Sequence, residues 1–283
     1  MMRAVDARRM RVNRQKWDES VPLHVASRVY DVPAFRRGAD PLLPCEIALM
    51  GPVRGRSLVH LQCHFGMDTL AWARRGARVT GVDYSAPAIA AAQKLAREVR
   101  VPARFVRSNV YGAGRRLRSK FDLVYTGKGA LCWLPDLAPW ARVVAGLLRP
   151  GGRLFYLEDH PIAEVHEREG PRGPLVRRNR YFQRPPFRDE FAGTYAVSAP
   201  VMRHRVSYSW IHPIQDAIGA IVGAGLVLDS FVEYPFSYWR RYTGMRSTPD
   251  GYWHLRDEPG RFPLMYSLRA HRPGGVRARG PAA

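Results

Sequence analysis

The sequence predicts an α/β fold built on a nucleotide-binding sheet, and three observations carry that prediction. Residues 57–95 read strand, turn, helix, strand, acidic end, helix; short apolar runs go on alternating with helical patterns to about residue 157. Of the 283 residues, 46% are hydrophobic, enough to bury a core. Leu58–Leu61 is the first strand, Gln62–Gly66 a turn, and Thr69–Arg75 a helix behind the candidate cap Asp68. A second strand, Arg78–Val82, ends at Asp83, and the helix Pro87–Val99 follows. Strands three to five are Ala103–Arg107, Phe121–Tyr125 and Gly152–Leu157. The helix Asp136–Leu148 puts Leu137, Trp140, Val144 and Leu148 on one face and stops at Pro150-Gly151-Gly152.

After Pro161 helical periodicity ceases, which predicts an insertion of loops and short strands. Arg203–Trp210 alternates as a strand, and a helix from His212 to Ala224 ends at Gly225. Strand six is Leu226–Tyr234 and strand seven Leu264–Ala270, with an irregular aromatic loop, Pro235–Pro263, between them. Ahead of the sheet, residues 16–50 read as one or two helices broken by Pro22, Pro33, Pro41 and Pro44, and residues 1–15 as a disordered or fraying basic tail.

The spacing from Gly66 to Asp83, about 17 residues, is close to the roughly 20 that separate a phosphate-turn glycine from a ribose-binding carboxylate. Asp83 can accept both ribose hydroxyls, or cap the helix that starts near Ser85. A turn with one glycine leaves no room for a pyrophosphate, so a diphosphate cofactor is not expected. The cofactor candidates are the turn and helix entry, Gln62, Cys63, His64, Gly66, Asp68 and Thr69, with Asp83, Tyr84 and Ser85 after strand two. Asn109, Val110 and Tyr111 after strand three and Thr126 and Gly127 after strand four complete the set.

These residues, VHLQCHFG followed by DTL and TGVDYS, resemble motif I of class I S-adenosylmethionine (SAM) methyltransferases. The subgroup is bacterial and methyltransferase type 11-like. His60 stands in the family's acidic position, and Gln62 and His64 replace two glycines. The likeness runs from about Asn13 to about Arg269 and includes NRQKWDESVPLHVAS, VYTGKGALCWLPD and LLRPGGRLFYLEDHP. It implies a Rossmann-like class I fold: a seven-stranded, mostly parallel sheet with an antiparallel last strand and helices on both faces. The cofactor it implies is S-adenosyl-L-methionine, with Asp83 on the ribose and Asn109 in place of the family's adenine-binding aspartate, unless Asn109 is a plain turn residue. The corresponding division is 1–50 tail and helical lid, 51–160 cofactor half, 161–202 substrate-side insertion, 203–272 C-terminal half of the core, and 273–283 disordered tail.

At the end of strand five, Glu158 and His160 are the candidates for general base, or else they only position the insertion. The proline-proline-aromatic box of nucleobase amine methyltransferases is absent after strand four. Candidates for contact with the acceptor are Tyr30, Lys128, Trp133, Arg180, Tyr181, Tyr208 and Trp210. The stretch Arg177–Phe191 holds five arginines (177, 178, 180, 184, 188) among four aromatics, which reads either as a clamp on an anionic acceptor or as a basic exposed loop.

The reading is an enzyme that methylates a small molecule at O, N or C in bacterial secondary metabolism. The alternatives are a prenyl diphosphate C-methyltransferase, a nucleic-acid methyltransferase or binder suggested by the +21 charge alone, and a non-catalytic SAM-binding subunit. No nucleic-acid or membrane partner is expected, no metal is expected, and the oligomeric state is read as monomer or homodimer. Cys45, Cys63 and Cys132 are odd in number and widely spaced, as expected of free thiols in a cytoplasmic chain.

Overall fold

A computed structural model describes residues 3–169, 173–182, 185–197, 202–256 and 260–274. Seven strands form one sheet: β1 (Ser57–Leu61), β2 (Arg78–Asp83), β3 (Arg104–Arg107), β4 (Phe121–Gly127), β5 (Leu148–Asp159), β10 (Val227–Tyr234) and β14 (Met265–His271). Their order is β10-β14-β5-β4-β1-β2-β3, and β14 runs antiparallel to both neighbours. The other pairings are parallel, so the C-terminal ends of β1 to β5 share one edge. Chain order reverses between β1 and β4, and at that switch point an open sheet leaves a crevice.

Both faces are covered, as the apolar spacing requires. On one face lie α6 (Ala113–Leu117), α7 (Leu137–Leu147) and α9 (Ile214–Gly223), burying Trp140, Val144 and Ile221. On the other lie α2 (Val32–Arg36), α3 (Pro44–Met50), α4 (Met67–Arg74) and α5 (Ala86–Glu98), burying Phe35, Met50, Leu70, Trp72 and Leu95. Local caps set helix starts: Asp136 accepts from the Ala138 N–H at 2.9 Å, and Ser85 from the Ala88 N–H at 3.1 Å. Strand five begins earlier than expected, at Leu148, and a register shift between Phe121 and Leu123 absorbs the Pro-Gly-Gly turn.

Three expectations are corrected. Residues 4–15, read as a tail, belong to the 23-residue helix α1 (Ala4–Ala26), and Pro22 lies inside it. Tertiary contacts hold that helix, as Asn13 exchanges two 2.7 Å hydrogen bonds with the Tyr208 backbone. The strand near Arg203–Trp210, here β9 (Val206–Ser209), pairs not with the core but with β8 (Phe187–Glu190). The insertion also holds α8 (Pro161–Val165) and the hairpin β6 (His166–Arg168) with β7 (Leu175–Arg177). The aromatic loop before β14 carries a small sheet of β11 (Phe236–Ser237), β12 (Arg246–Ser247) and β13 (Trp253–His254). Of the expected C-terminal tail, residues 275–283 lie outside the described residues.

Candidate functional site

The turn after β1 is built from left-handed backbone: φ is 60° at Gln62, 49° at His64 and 82° at Gly66. Only glycine fits at 66, because a Cβ there would lie 2.7 Å from the Phe105 ring. The turn hangs on Asp83, whose carboxylate accepts the His64 N–H and the Ser85 N–H, each at 2.8 Å. Burial pushes the Asp83 carboxyl up to about 6, against the pull of those backbone bonds.

Helix α1 closes over this turn. Its Arg14, Trp17, Asp18 and His24 recur at helical spacing on one face. His24 Nδ1 meets His64 Nε2 at 2.9 Å, Trp17 packs edge-on against His24, His64 and Trp133, and Arg14 lies 5.1 Å from the Tyr84 ring centroid. Tyr30 and Tyr195 join by their hydroxyls beside the same pair. Burial holds His24 down at about 4, and the half-buried His64 lies well below the usual histidine value through desolvation and the neighbouring His24, so both rings are neutral.

Several predicted cofactor residues are bonded within the fold itself. Cys63 is buried in the face under α4, Thr69 is bonded to His60 at 2.8 Å, and the Thr126 hydroxyl donates to the Leu61 carbonyl. Asp68 pairs with Lys128, and Ser85 caps α5. Asn109 Oδ1 accepts from the Tyr111 N–H at 3.0 Å, the turn role rather than an open acceptor; Val110 is buried, and the Tyr111 hydroxyl donates to the Asp136 carbonyl. A side chain at Gly127 would lie 3.3 Å from the Leu157 carbonyl. Gln62, His64, Asp83 and Tyr84 remain part-exposed at the strand ends.

On the β4–β5 side lies a small cleft lined by Cys132, Glu158, Asp159, Glu164, Trp210 and Tyr266. Glu158 accepts from the Leu131 N–H at 2.6 Å and the Asp159 N–H at 3.1 Å. Burial, and then the neighbouring Asp159 charge, push its carboxyl up to about 8. Asp159 accepts from the Tyr238 hydroxyl at 2.7 Å and the Trp239 indole at 3.0 Å, while Arg241 sits 2.7 Å from Glu164. His160 is not available as a base. Its Nδ1 accepts from the Ile162 N–H to cap α8, and its Nε2 lies 2.9 Å from Glu233.

The other predicted acceptor contacts scatter. Trp210 is buried at the cleft, but Tyr30 and Trp133 belong to the aromatic cluster under α1. Lys128 is a half-buried ion partner of Glu46 and Asp68, each at 3.1 Å. Burial pulls the Lys128 ammonium down, and the two carboxylates outweigh that and hold it above the ordinary lysine value. The Tyr181 hydroxyl accepts from the Ile214 N–H, and Arg9 stacks on Tyr208. Arg180 is exposed, Arg178 pairs with Glu167 and Glu169, and Arg188 pairs with Glu190, so these arginines form no clamp at the cleft. Arg184 lies outside the described residues.

Sequence reasoning missed Arg14, Trp17, Asp18, His24 and Tyr195 over the turn, and Tyr238, Trp239 and Arg241 behind the cleft. For the first four the 14, 17, 18, 24 spacing was a usable signal; for the others nothing local marks them.

Four buried polar atoms over the turn have no hydrogen-bond partner among the described residues: Arg14 Nε, Asp18 Oδ1, His24 Nε2 and Gln62 Oε1. Donors and acceptors left together fit a zwitterion, and the methionine half of SAM carries both an ammonium and a carboxylate. Among the described residues no group of three His, Cys, Asp or Glu is placed to hold a metal, and no helix is long and apolar enough to cross a membrane.

Residues 59–154 match the family model of a methyltransferase domain. Among curated relatives, the ubiquinone biosynthesis O-methyltransferase of Methylobacterium sp. (strain 4-46) is 32% identical over 167 residues, covering 54% of this chain and 63% of that protein. The protein of the same name from Albidiferax ferrireducens is 33% identical over 136 residues, covering 47% and 54%. The chain thus spans a little over half the length of the curated relatives it matches. A solved SAM-dependent methyltransferase from Mesorhizobium loti shares the fold at a TM-score of 0.58 and 23% identity, covering 84% of this chain and 100% of that one. The glycopeptide N-methyltransferase MtfA, in complex with SAM, does so at 0.52 and 16%, covering 88% and 95%. The chain is a class I SAM-dependent methyltransferase in fold, with S-adenosyl-L-methionine as the cofactor of that class.

Proposed function

We propose that this chain is an enzyme that binds SAM between α1 and the turn after β1, and methylates a small organic acceptor held at the ends of β4 and β5. The observation that carries the reading is the group of buried atoms without a hydrogen bond, Asp18 Oδ1, His24 Nε2 and Gln62 Oε1, gathered beside Asp83 with the Arg14–Asp18 ion pair next to them. A buried polar group without a partner costs stability, so such a cluster supports a ligand that completes it. When bound, SAM supplies a methyl group on a positively charged sulfur, open to in-line displacement. Asp83 holds the ribose, the face of α1 shields the cofactor from water, and Glu158 takes the acceptor's proton on its carboxylate.

A hydroxyl acceptor is the version we favour, since the relatives' names specify O-methyl transfer and Glu158 supplies a carboxyl whose pKa is near the pH at which a base is useful. The acceptor meets carboxylates and aromatic rings at the cleft, which supports a neutral molecule over an anionic one. Three unpaired cysteines support a reducing, cytoplasmic setting, and a role in bacterial secondary metabolism is part of the same proposal. Calorimetric titration with S-adenosylhomocysteine tests the cofactor half. Saturable binding is expected, and a folded protein that binds none overturns the reading. Transfer of labelled methyl to phenolic acceptors tests the second half; binding without any transfer turns the chain into a non-catalytic cofactor-binding subunit.

A further inference from the structure

The parallel strands that bring their C-terminal ends to the crevice bring their N-terminal ends to the opposite edge of the sheet, and four neighbours each enter there behind a cation. Arg56 precedes β1, Arg78 opens β2, Arg104 opens β3, and Arg118 and Lys120 precede β4. Far apart in sequence, they are gathered by strand register. The Arg78 N–H donates to the Arg56 carbonyl at 2.8 Å, and Thr80 stands level with Arg104, as Leu58 does with Leu123. All of these cationic side chains are exposed, and none has an ion-pair partner among the described residues. The acids that reach the same edge are already taken: Asp40 by Arg75, Glu98 by Arg36, Asp122 by Arg149 and Asp229 by His271. Like charge is felt further in as well, where burial, and then Arg56 and Arg269, hold the Arg153 guanidinium below the usual arginine value. Exposed charges of one sign without counter-charge repel one another, and a surface of the opposite sign relieves them.

The chemistry of the edge selects among such surfaces. Neighbouring strands about 4.8 Å apart spread these cations over about 15 Å across four strands. A nucleic-acid strand carries a phosphate every ~3.4 Å along its axis, so several fall within that span. All but Lys120 are arginines, whose planar forks match phosphate oxygens two at a time. An anionic bilayer has the same sign, but interfacial binding adds apolar side chains to the cations. Here the exposed large apolar side chains belong to α1 and the turn after it, to the insertion, and to α9 and β10, and β10 lies three strands beyond β4. No exposed aromatic ring among the described residues stands at this edge for an unpaired base to stack on, which favours a duplex over a single strand.

We propose that this basic edge is a docking surface for the phosphate backbone of duplex nucleic acid, bound without regard to base sequence and with the crevice facing away. The test is fluorescence anisotropy of the full chain with a labelled mixed-sequence DNA duplex of about 20 base pairs, where the affinity should fall with salt at a log–log slope of about −4. Arg78→Gln with Arg104→Gln should take about 2 off the size of that slope and weaken binding at least about tenfold at low salt. Arg118→Gln with Lys120→Gln should do the same from the entry to β4. Arg180→Gln with Arg246→Gln removes equal charge at exposed positions in the insertion and the aromatic loop, and should leave the slope unchanged. Equal losses in this last variant mean that net charge alone acts, and overturn the face, as does a folded parent chain that binds no duplex at low salt. Vesicles of phosphatidylglycerol and phosphatidylcholine offer the rival surface. Tighter binding to them than to the duplex, lost in Arg78→Gln with Arg104→Gln, assigns the edge to a membrane and overturns the proposal.

Discussion

The two sides of the crevice treat their polar atoms in opposite ways. Under α1, an acceptor on Asp18, one nitrogen of His24 and the Gln62 carbonyl are buried without a hydrogen bond among the described residues, beside the Arg14–Asp18 ion pair. Across the sheet, Glu158 and Asp159 are met by two backbone N–H groups, a tyrosine, a tryptophan and an arginine. An unsatisfied buried group costs about 1–3 kcal/mol, a satisfied one close to nothing. The first side therefore gains most when a ligand arrives, and the second is already rigid before one does. On the function proposed above, binding energy belongs to the cofactor side and orientation to the acceptor side.

The frame behind the crevice can be broken at Lys128, which joins the loop after β4 to α3 and α4. Lys128→Met leaves Glu46, fully buried, without its cation, and should cost about 3–5 kcal/mol in denaturant unfolding. A loss below about 1 kcal/mol means that the ion pair is no more than a surface pair. Glu158→Gln, on the rigid side, should lower the methyl-transfer rate about a hundredfold with unchanged S-adenosylhomocysteine affinity. In the parent protein the rate should rise with pH through about 8 as that carboxyl ionises. A flat profile removes Glu158 as the base.

Asp83→Ala, on the open side, should weaken S-adenosylhomocysteine at least about tenfold by calorimetry. The sign of the pH effect follows from the same carboxyl. Its folded pKa is raised, so it takes up a proton as pH falls through about 6, loses its acceptor charge for ribose hydroxyls, and affinity drops. Affinity that is constant from neutral pH to below that value takes Asp83 out of the ribose site. Gln62→Leu should give a smaller change, a few-fold weaker binding with little change in thermal stability, because losing the 2.7 Å bond from Gln62 Nε2 to the Ala130 carbonyl offsets the removal of one unsatisfied acceptor. The smallest effect belongs outside the crevice: Arg178→Gln with Arg180→Gln should leave the acceptor's KM unchanged, and a rise of threefold or more would return the insertion's arginines to the site.

The open side was the more legible of the two. Its strand, turn and carboxylate sit within residues 57–85, where periodicity and one glycine spacing suffice, and the resemblance to class I methyltransferases extends the sheet to β14. Side-chain direction was not legible there: Thr69 and Thr126 bond inward, and Cys63 is buried. The docking of α1 was illegible, since Asn13 and Tyr208 are 195 residues apart in sequence and no local pattern links them. The rigid side has the same defect throughout, because Glu158 and Asp159 are answered by residues near 131 and 238–241. His160 was chosen by residue type, which says nothing of whether both its nitrogens are already engaged.

The Lys128 ammonium carries a consequence for descent. It touches the Pro41 carbonyl, Glu46 and Asp68, three points on separate segments that meet only in the finished fold. Loss of the Lys128 ammonium strands both carboxylates, while a joint replacement by apolar residues of similar volume is tolerated. Positions 46, 68 and 128 are thereby bound to a common fate: sequences that diverge from this one should keep all three charges or lose them together, and a lineage with only one of the three altered should be rare.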